Sequence, residues 1–192
     1  PAGNINGWAV LWLQGHTSTI EGHSEACERM AEEQHVTHAV LNYAGHGNHP
    51  TPLAESVRSV QLTEVIGVYD ALVERGYAHI IISGGSFGAY LAALLTKHRT
   101  PAGVILRAPA NYPDEELHLA YKQARLDDHT HNALETWRRG LPETYVNLPV
   151  TALAYYDGPV YVIEHEKDEI IPRNLPLSYF HAAKHGTYII LK

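Results

Sequence analysis

Six short apolar runs alternate along the chain with longer stretches that have the pattern of helices or polar loops. Several runs are rich in Val, Ile and Leu without alternating polar residues, which is typical of strands covered on both faces. The predicted strands are residues 9–13, 37–41, 79–83, 103–107, 160–164 and 187–191. The predicted helices are residues 23–34, 55–75, 87–98 and 174–184. This order predicts an α/β fold, with a mostly parallel sheet and helices on both of its faces.

The second predicted helix has an apolar stripe. Its members recur near the helical period, and they are Val57, Val60, Ile66, Tyr69 and Val73. Apolar residues at this spacing lie on one side of a helix. We therefore expect this side of the helix to pack on the core.

The composition is that of one globular domain, residues 1–192, with 45% hydrophobic and 18% charged residues. The net charge is −7 and no Lys/Arg cluster forms a basic stripe, so nucleic acid is not an expected partner. No apolar segment is long enough to span a membrane, and no signal peptide is visible. Cys27 is the one cysteine, which excludes an internal disulfide, favours a cytoplasmic location and indicates a small core residue. The oligomeric state is not readable from these features.

Both ends of the chain are unusual for a complete domain. The chain begins with Pro1 and ends at Lys192, one residue after the last predicted strand. A domain seldom stops on a strand without a loop or helix to cover it. We therefore expect the domain to be incomplete at its C-terminus and also at its N-terminus.

Residues 111–148 interrupt the alternation of strands and helices with a polar, aromatic stretch. The segment contains Tyr112, Tyr121, Trp137 and Tyr145 and has the pattern of short helices. One interpretation is a small cap inserted over the active-site edge of the sheet. The other is an ordinary long crossover with an extra helix. The sequence leaves both open.

Residues 84–88, Gly-Gly-Ser-Phe-Gly, stand between the third predicted strand and the third predicted helix. A strand, a sharp turn flanked by glycines and a helix are what a nucleophile elbow requires. In this interpretation Ser86 is a catalytic nucleophile, and the backbone N–H of Phe87 is one donor of an oxyanion hole. The alternative is a tight turn in which Ser86 caps the helix and Phe87 is a core residue.

A second oxyanion donor is expected from the loop after the first strand. Gln14, Gly15 and His16 follow that strand at the sheet edge where open α/β sheets bind ligands. Gly15 lets the backbone approach a substrate oxygen, and the N–H of His16 is the predicted donor. The alternative is an ordinary glycine turn.

Three phrases of the chain resemble the α/β-hydrolase fold superfamily, specifically its small esterase and serine-peptidase-like branch. Residues 42–49 are similar to that branch's D-x-R-G-H-G-x-S loop, although Asn42 replaces the Asp and Ala44 the Arg. Residues 86–92 and 106–110 look like the same branch, and the resemblance extends from residue 10 to residue 191. It implies an α/β-hydrolase fold, a serine nucleophile and no cofactor.

The resemblance also implies an acid in the turn after the fifth strand. Residues 165–172 are similar to the family's G-x-x-D-x-x-V-P turn, with His165 in place of the Gly. Asp168 is therefore the predicted acid, which orients the catalytic imidazole and stabilises its cationic form. Glu166 and Glu169 are local competitors, and a solvated acidic turn is the alternative.

The chain has no histidine at the position where the superfamily has its catalytic base. The superfamily places it on the loop after the last strand, and this chain ends at Lys192. His181 and His185 precede the last strand and are expected at the opposite edge of the sheet. His16 and His46 are at the correct edge, but the resemblance gives them other roles. We therefore predict that the base lies beyond Lys192.

The 14 histidines also raise the question of a metal site. His46 with His49, or the acidic and histidine residues of 127–131, form possible ligand sets. No H-E-x-x-H pattern or paired cysteines accompany them, so we predict no metal.

The predicted function is therefore a serine hydrolase of the carboxylesterase type, acting on a small-molecule ester through an acyl-enzyme. A serine peptidase of the prolyl-oligopeptidase or aminopeptidase type, acting on a short peptide, is the second possibility. A non-catalytic hydrolase-fold protein that binds a small ligand is the third, and it applies if no base exists.

Overall fold

The computed structural model describes residues 7–124 and 131–192. The strands are β1 Trp8–Leu13, β2 Thr37–Val40, β3 His79–Gly85, β4 Gly103–Arg107, β5 Val160–His165 and β6 Gly186–Leu191. The helices are α1 Ser24–Gln34, α2 Arg58–Glu74, α3 Phe87–Leu95, α4 His131–Gly140, α5 Leu148–Ala154 and α6 Asn174–Ala182. Every predicted strand and helix is present, which confirms the α/β fold. α4 and α5 were not predicted individually.

The six strands form one parallel sheet in the order β2-β1-β3-β4-β5-β6. The chain first moves from β1 to β2 at one edge, then returns past β1 to β3 and continues outward to β6. The order in which the chain adds strands to the sheet therefore changes direction between β1 and β3. In open α/β sheets the crevice at such a switch point, at the carboxyl ends of the strands, is where ligands bind.

Helix α3 lies at the centre of the molecule. All nine of its residues are buried, and it packs on β1, β3 and β4 with α2 and α5 on its flanks. Ala9, Leu11 and Leu13 of β1 are buried in the same core as this helix. On the opposite face of the sheet, His23 at the start of α1 lies with Trp12 around a cavity. Cys27 of α1 is 7% exposed, as predicted for a core residue.

The buried side of α2 agrees with the predicted stripe only in part, because Tyr69 is in the core and Ile66 packs against it. Val60 and Val73 are 48% and 51% exposed. The apolar residues of α2 that enter the core are Leu62, Val65, Tyr69 and Leu72. At 3.6 residues per turn, Val60 and Val73 point in directions roughly 140° apart, whereas the four core residues share one side of the helix, which packs against α3.

The described part of the 111–148 segment contacts the loop that leads from β2 into α2. The backbone N–H of Tyr121 donates to Ser56 O at 2.8 Å, and Ala120 pairs with Val57 in an isolated antiparallel bridge. This loop follows the carboxyl end of β2, so residues 111–124 lie at the edge of the sheet that carries the candidate site. The cap interpretation stays a prediction, supported by this placement. In the part of the chain that the structure describes, no helix has the length and apolar character needed to cross a membrane.

Candidate active site

Ser86 stands at the turn between β3 and α3 with φ 51° and ψ −113°. A non-glycine residue in this region is strained, and such strain is concentrated at functional sites. The Ser86 side chain makes no hydrogen bond that caps α3. The capping part of the alternative interpretation therefore does not hold, whereas its second part does, since Phe87 is a core residue, 2% exposed. The helix holds Ser86 through its carbonyl oxygen, which accepts from the N–H groups of Ala89 and Tyr90.

The glycines at positions 84 and 88 are required by close backbone approach. A Cβ added to Gly84 would overlap the carbonyl group of Gly88 and lie 2.6 Å from the nitrogen of Ala89. A Cβ added to Gly88 would overlap the carbonyl group of Leu13 at the end of β1. The two glycines thus let α3 begin directly against β3 and β1.

The loop after β4 holds the strained turn from the other side. Ser86 N–H donates to Arg107 O at 2.9 Å, and Ala110 N–H donates to Ser86 O at 3.2 Å. Tyr179, which is fully buried on α6, donates its hydroxyl to Ala110 O at 2.8 Å. No motif in the sequence marks Tyr179, because its contact joins residues 69 positions apart.

The loop after β1 lies directly beside Ser86. A Cβ added to Gly15 would be 3.6 Å from Ser86 Cβ, and residues 15–18 form a turn in which Ser18 N–H donates to Gly15 O. Phe87 is the first residue of α3, a position whose N–H has no acceptor within its own helix. The structure therefore brings the Gly15–His16 loop and the Ser86–Phe87 turn together at the switch point. The roles of His16 and Phe87 as oxyanion donors stay predictions.

Aromatic and histidine rings pack around His16 in the loop after β1. His16 stacks on Tyr121 with centroids 5.3 Å apart, and its edge contacts Phe87 and His46. His46 is 2% exposed, stacks on Phe87 at 5.9 Å and hydrogen-bonds Ala44 O through Nδ1 at 3.2 Å. A carbonyl only accepts, so Nδ1 carries a proton in this contact. Burial lowers the pKa of His46.

This burial predicts a pH-dependent stability. The lowered pKa of His46 means that the unfolded state takes up a proton near pH 6.5 before the folded state does. We expect the free energy of unfolding to fall as the pH drops below about 6.5, by at most about 1.4 kcal/mol per pH unit for one proton. His46→Asn keeps an N–H near Ala44 O and removes the group that titrates. The free energy of unfolding of this variant, measured in urea between pH 7.5 and 5.5, should therefore fall less with decreasing pH than that of the unsubstituted protein. An equal pH dependence of the free energy of unfolding in both proteins would contradict the assignment of this effect to His46.

Asp168 follows β5 at the same edge, two strands from β3, or about 10 Å in strand spacings. Its Oδ1 accepts from the N–H groups of Ile170 and Ile171 at 3.0 and 2.8 Å. Its Oδ2 makes no hydrogen bond with any described residue, so one oriented oxygen is left to accept from a ring N–H. The competitors Glu166 and Glu169 are exposed.

No histidine within residues 7–124 and 131–192 is hydrogen-bonded to Ser86 Oγ or to Asp168. His185 lies at the far edge, as expected, because its carbonyl accepts from the first residue of β5. His181 is exposed on α6. His165 is at the correct edge, but its Nε2 accepts from Arg107 Nε at 2.7 Å. The base beyond Lys192 stays a prediction.

His46 and His49, one of the two possible ligand sets, have different partners. His49 pairs with Glu64 at 3.3 Å, whereas His46 is enclosed by rings. Residues 127–130 lie outside the described part of the chain. Among the described residues, no group of three or more His, Cys, Asp and Glu side chains is arranged to hold a metal ion.

No protein-family profile matches the chain, and no curated protein matches its sequence. Solved structures do match its fold. Est1E from Butyrivibrio proteoclasticus, solved with ferulic acid, is 16% identical with a TM-score of 0.71, covering 95% of this chain and 78% of its own. One of the metagenome-derived lipolytic enzymes LipS and LipT is 18% identical with a TM-score of 0.70, covering 97% and 84%. Mouse alpha/beta hydrolase domain-containing protein 10 is 19% identical with a TM-score of 0.67, covering 96% and 80%. The chain therefore has the α/β-hydrolase fold.

Proposed function

We propose that this protein is a serine hydrolase that cleaves esters or related acyl compounds through an acyl-enzyme. The observation that carries the proposal is the strained backbone of Ser86, held between β3 and α3 with no capping bond and beside Gly15. A serine fixed in this way presents its hydroxyl at the sheet edge next to backbone donors. Solved structures of the same fold include Est1E with bound ferulic acid and lipolytic enzymes, which agrees with the proposal.

In the proposed reaction Ser86 Oγ attacks the acyl carbon while its proton passes to an imidazole oriented by Asp168. The N–H groups of His16 and Phe87 donate to the oxyanion that forms. The imidazolium then protonates the leaving oxygen as the bond from the acyl carbon to that oxygen breaks. Water attacks the acyl-enzyme, gives a proton to the same ring, and Ser86 recovers its proton as the acid departs.

A non-catalytic ligand-binding protein is the second candidate. It is favoured by one observation, the lack of a hydrogen bond from any described histidine to Ser86 or Asp168. In that case the switch-point crevice holds a small ligand without turning it over.

A fluorophosphonate probe separates the two functions. It should label the protein, prepared in the full length that its gene encodes, and fail to label Ser86→Ala. Ser83→Ala is the matched control, because Ser83 lies three residues earlier and is 6% exposed; this variant should be labelled like the unsubstituted protein. Equal labelling of Ser86→Ala would overturn the role of Ser86. No labelling of any form would favour the ligand-binding protein.

A further inference from the structure

A small pocket is lined by the two residues proposed as oxyanion donors, His16 and Phe87. Tyr112, Tyr121 and Arg58 form other parts of its wall. The pocket lies toward β1 and α2, because His16 follows β1 and Arg58 begins α2. Asp168 is on the other side of Ser86, at the end of β5.

This placement assigns the pocket to the acyl group rather than to the leaving group. The leaving oxygen has to receive its proton from the imidazole, and that ring is held on the Asp168 side. Oγ, the oxyanion and the leaving oxygen occupy three positions on the tetrahedral carbon. The acyl substituent takes the fourth, on the side away from Asp168, and there it meets the pocket.

The pocket is small and its inner wall is rigid. Its free volume is about 10 Å³, which is about what the centre of one water molecule needs. The Tyr112 ring is in contact with the guanidinium groups of Arg58 and Arg138, at 4.3 and 4.8 Å. It also contacts the ring of Phe87 at 5.6 Å, so it has no space to turn away.

The polar part of the wall is also held in place. Ser56 and Gln61 are 4% and 2% exposed, and they donate to Leu53 O at 2.7 Å and to Ala44 O at 2.6 Å. Arg58 Nη1 lies 3.6 Å from Glu116 Oε2 in a buried ion pair. A longer acyl chain fits only if the pocket widens. Widening it would displace these groups and break their buried hydrogen bonds, which is unfavourable.

The side chain of Tyr121 is the part of the pocket wall that a single substitution can remove. Its ring stacks on His16, and it is the only partly exposed tyrosine among the described wall residues named above. Its backbone hydrogen bond to Ser56 O does not depend on the side chain. Truncating this partly exposed ring opens the pocket.

We propose that this pocket limits the acyl group of the substrate to about the size of acetyl, and that Tyr121 sets the limit. The inference rests on the proposed serine hydrolase function. It is tested by hydrolysis of p-nitrophenyl acetate, butyrate and hexanoate by the full-length protein. We expect kcat/KM for acetate to exceed that for butyrate by at least about 10-fold, since each methylene that does not fit costs on this order.

Tyr121→Ala should raise the hexanoate-to-acetate ratio of kcat/KM by about 10-fold or more. A change in the His16 N–H as oxyanion donor affects all esters alike and leaves this ratio unchanged. Tyr155→Ala is the control, because Tyr155 is 79% exposed and does not line the pocket. If Tyr121→Ala does not fold, Leu119→Ala removes another pocket side chain, 38% exposed, and should shift the ratio in the same direction.

Preference of the unsubstituted protein for hexanoate would overturn the inference, and so would an unchanged ratio in the folded pocket variants. In both cases hydrolysis that depends on Ser86 leaves the proposed function intact. Absence of hydrolysis of every ester together with absence of probe labelling would instead overturn the proposed function, and the acyl limit with it.

Discussion

Replacing Gly88 by alanine is expected to prevent folding or to lower the free energy of unfolding by about 3 kcal/mol or more. The new Cβ would overlap the carbonyl group of Leu13 and lie 2.8 Å from the carbonyl oxygen of Gln14. Both obstacles are backbone atoms of a central strand and its loop, so neither can rotate away, and overpacking of this kind is strongly destabilising. Urea unfolding followed by circular dichroism measures the change.

Gly67→Ala is the matched control for this substitution. Gly67 is an exposed position of α2, and a Cβ added there has no atom within 4 Å. Alanine at this position should stabilise the protein by about 0.5–1 kcal/mol, because glycine is unfavourable inside a helix. If both alanine variants were equally stable, the close contact between α3 and β1 would be disproved, and with it the adjacency of Ser86 and Gly15.

Replacing Asp168 by asparagine is expected to lower kcat for p-nitrophenyl acetate by about 10⁴-fold while leaving the fold unchanged. The asparagine oxygen still accepts from the N–H groups of Ile170 and Ile171, so the turn keeps its hydrogen bonds. The charge that orients and stabilises the imidazolium is lost, and a neutral amide in this role disfavours the productive tautomer. Ester hydrolysis by the full-length protein, with unfolding as a check of stability, measures both effects.

Two neighbouring carboxylates provide controls for Asp168. Glu166 and Glu169 are in the same turn and are exposed. Glu166→Gln and Glu169→Gln should each hydrolyse p-nitrophenyl acetate at the rate of the unsubstituted protein. Loss of activity in one of these variants, with full activity in Asp168→Asn, would move the acid to that residue.

The elements that the sequence predicts well are those whose signal is local. A strand covered on both faces leaves a continuous apolar run, and each predicted strand begins and ends within two residues of the observed one. The turn at Ser86 is equally local, because the glycines that it needs are two residues away on either side. The Asp168 turn is local as well, since its two hydrogen bonds reach Ile170 and Ile171.

The face of α2 that is buried could not be predicted in the same way. At 3.6 residues per turn, Val60 and Val73 point in directions roughly 140° apart, whereas Leu62 and Leu72 lie toward one side of the helix. Apolar residues therefore occur around much of α2, and its sequence alone does not say which side is buried. The position of α3 decides this, because it covers the side that carries Leu62 and Leu72 and leaves Val60 and Val73 exposed.

The sequence by itself determined the alternation of strands and helices, the strained turn at Ser86 and the acidic turn at Asp168. The sequence also predicted the Gly15–His16 loop at the same sheet edge, but only the tertiary structure decided that Gly15 lies directly against Ser86, because the order of strands in a sheet depends on contacts between distant segments. It also decided that His16, Arg58, Tyr112 and Tyr121 enclose one pocket of about 10 Å³. Residues so far apart in the chain leave no spacing pattern, and close packing of the folded chain is what brings them together.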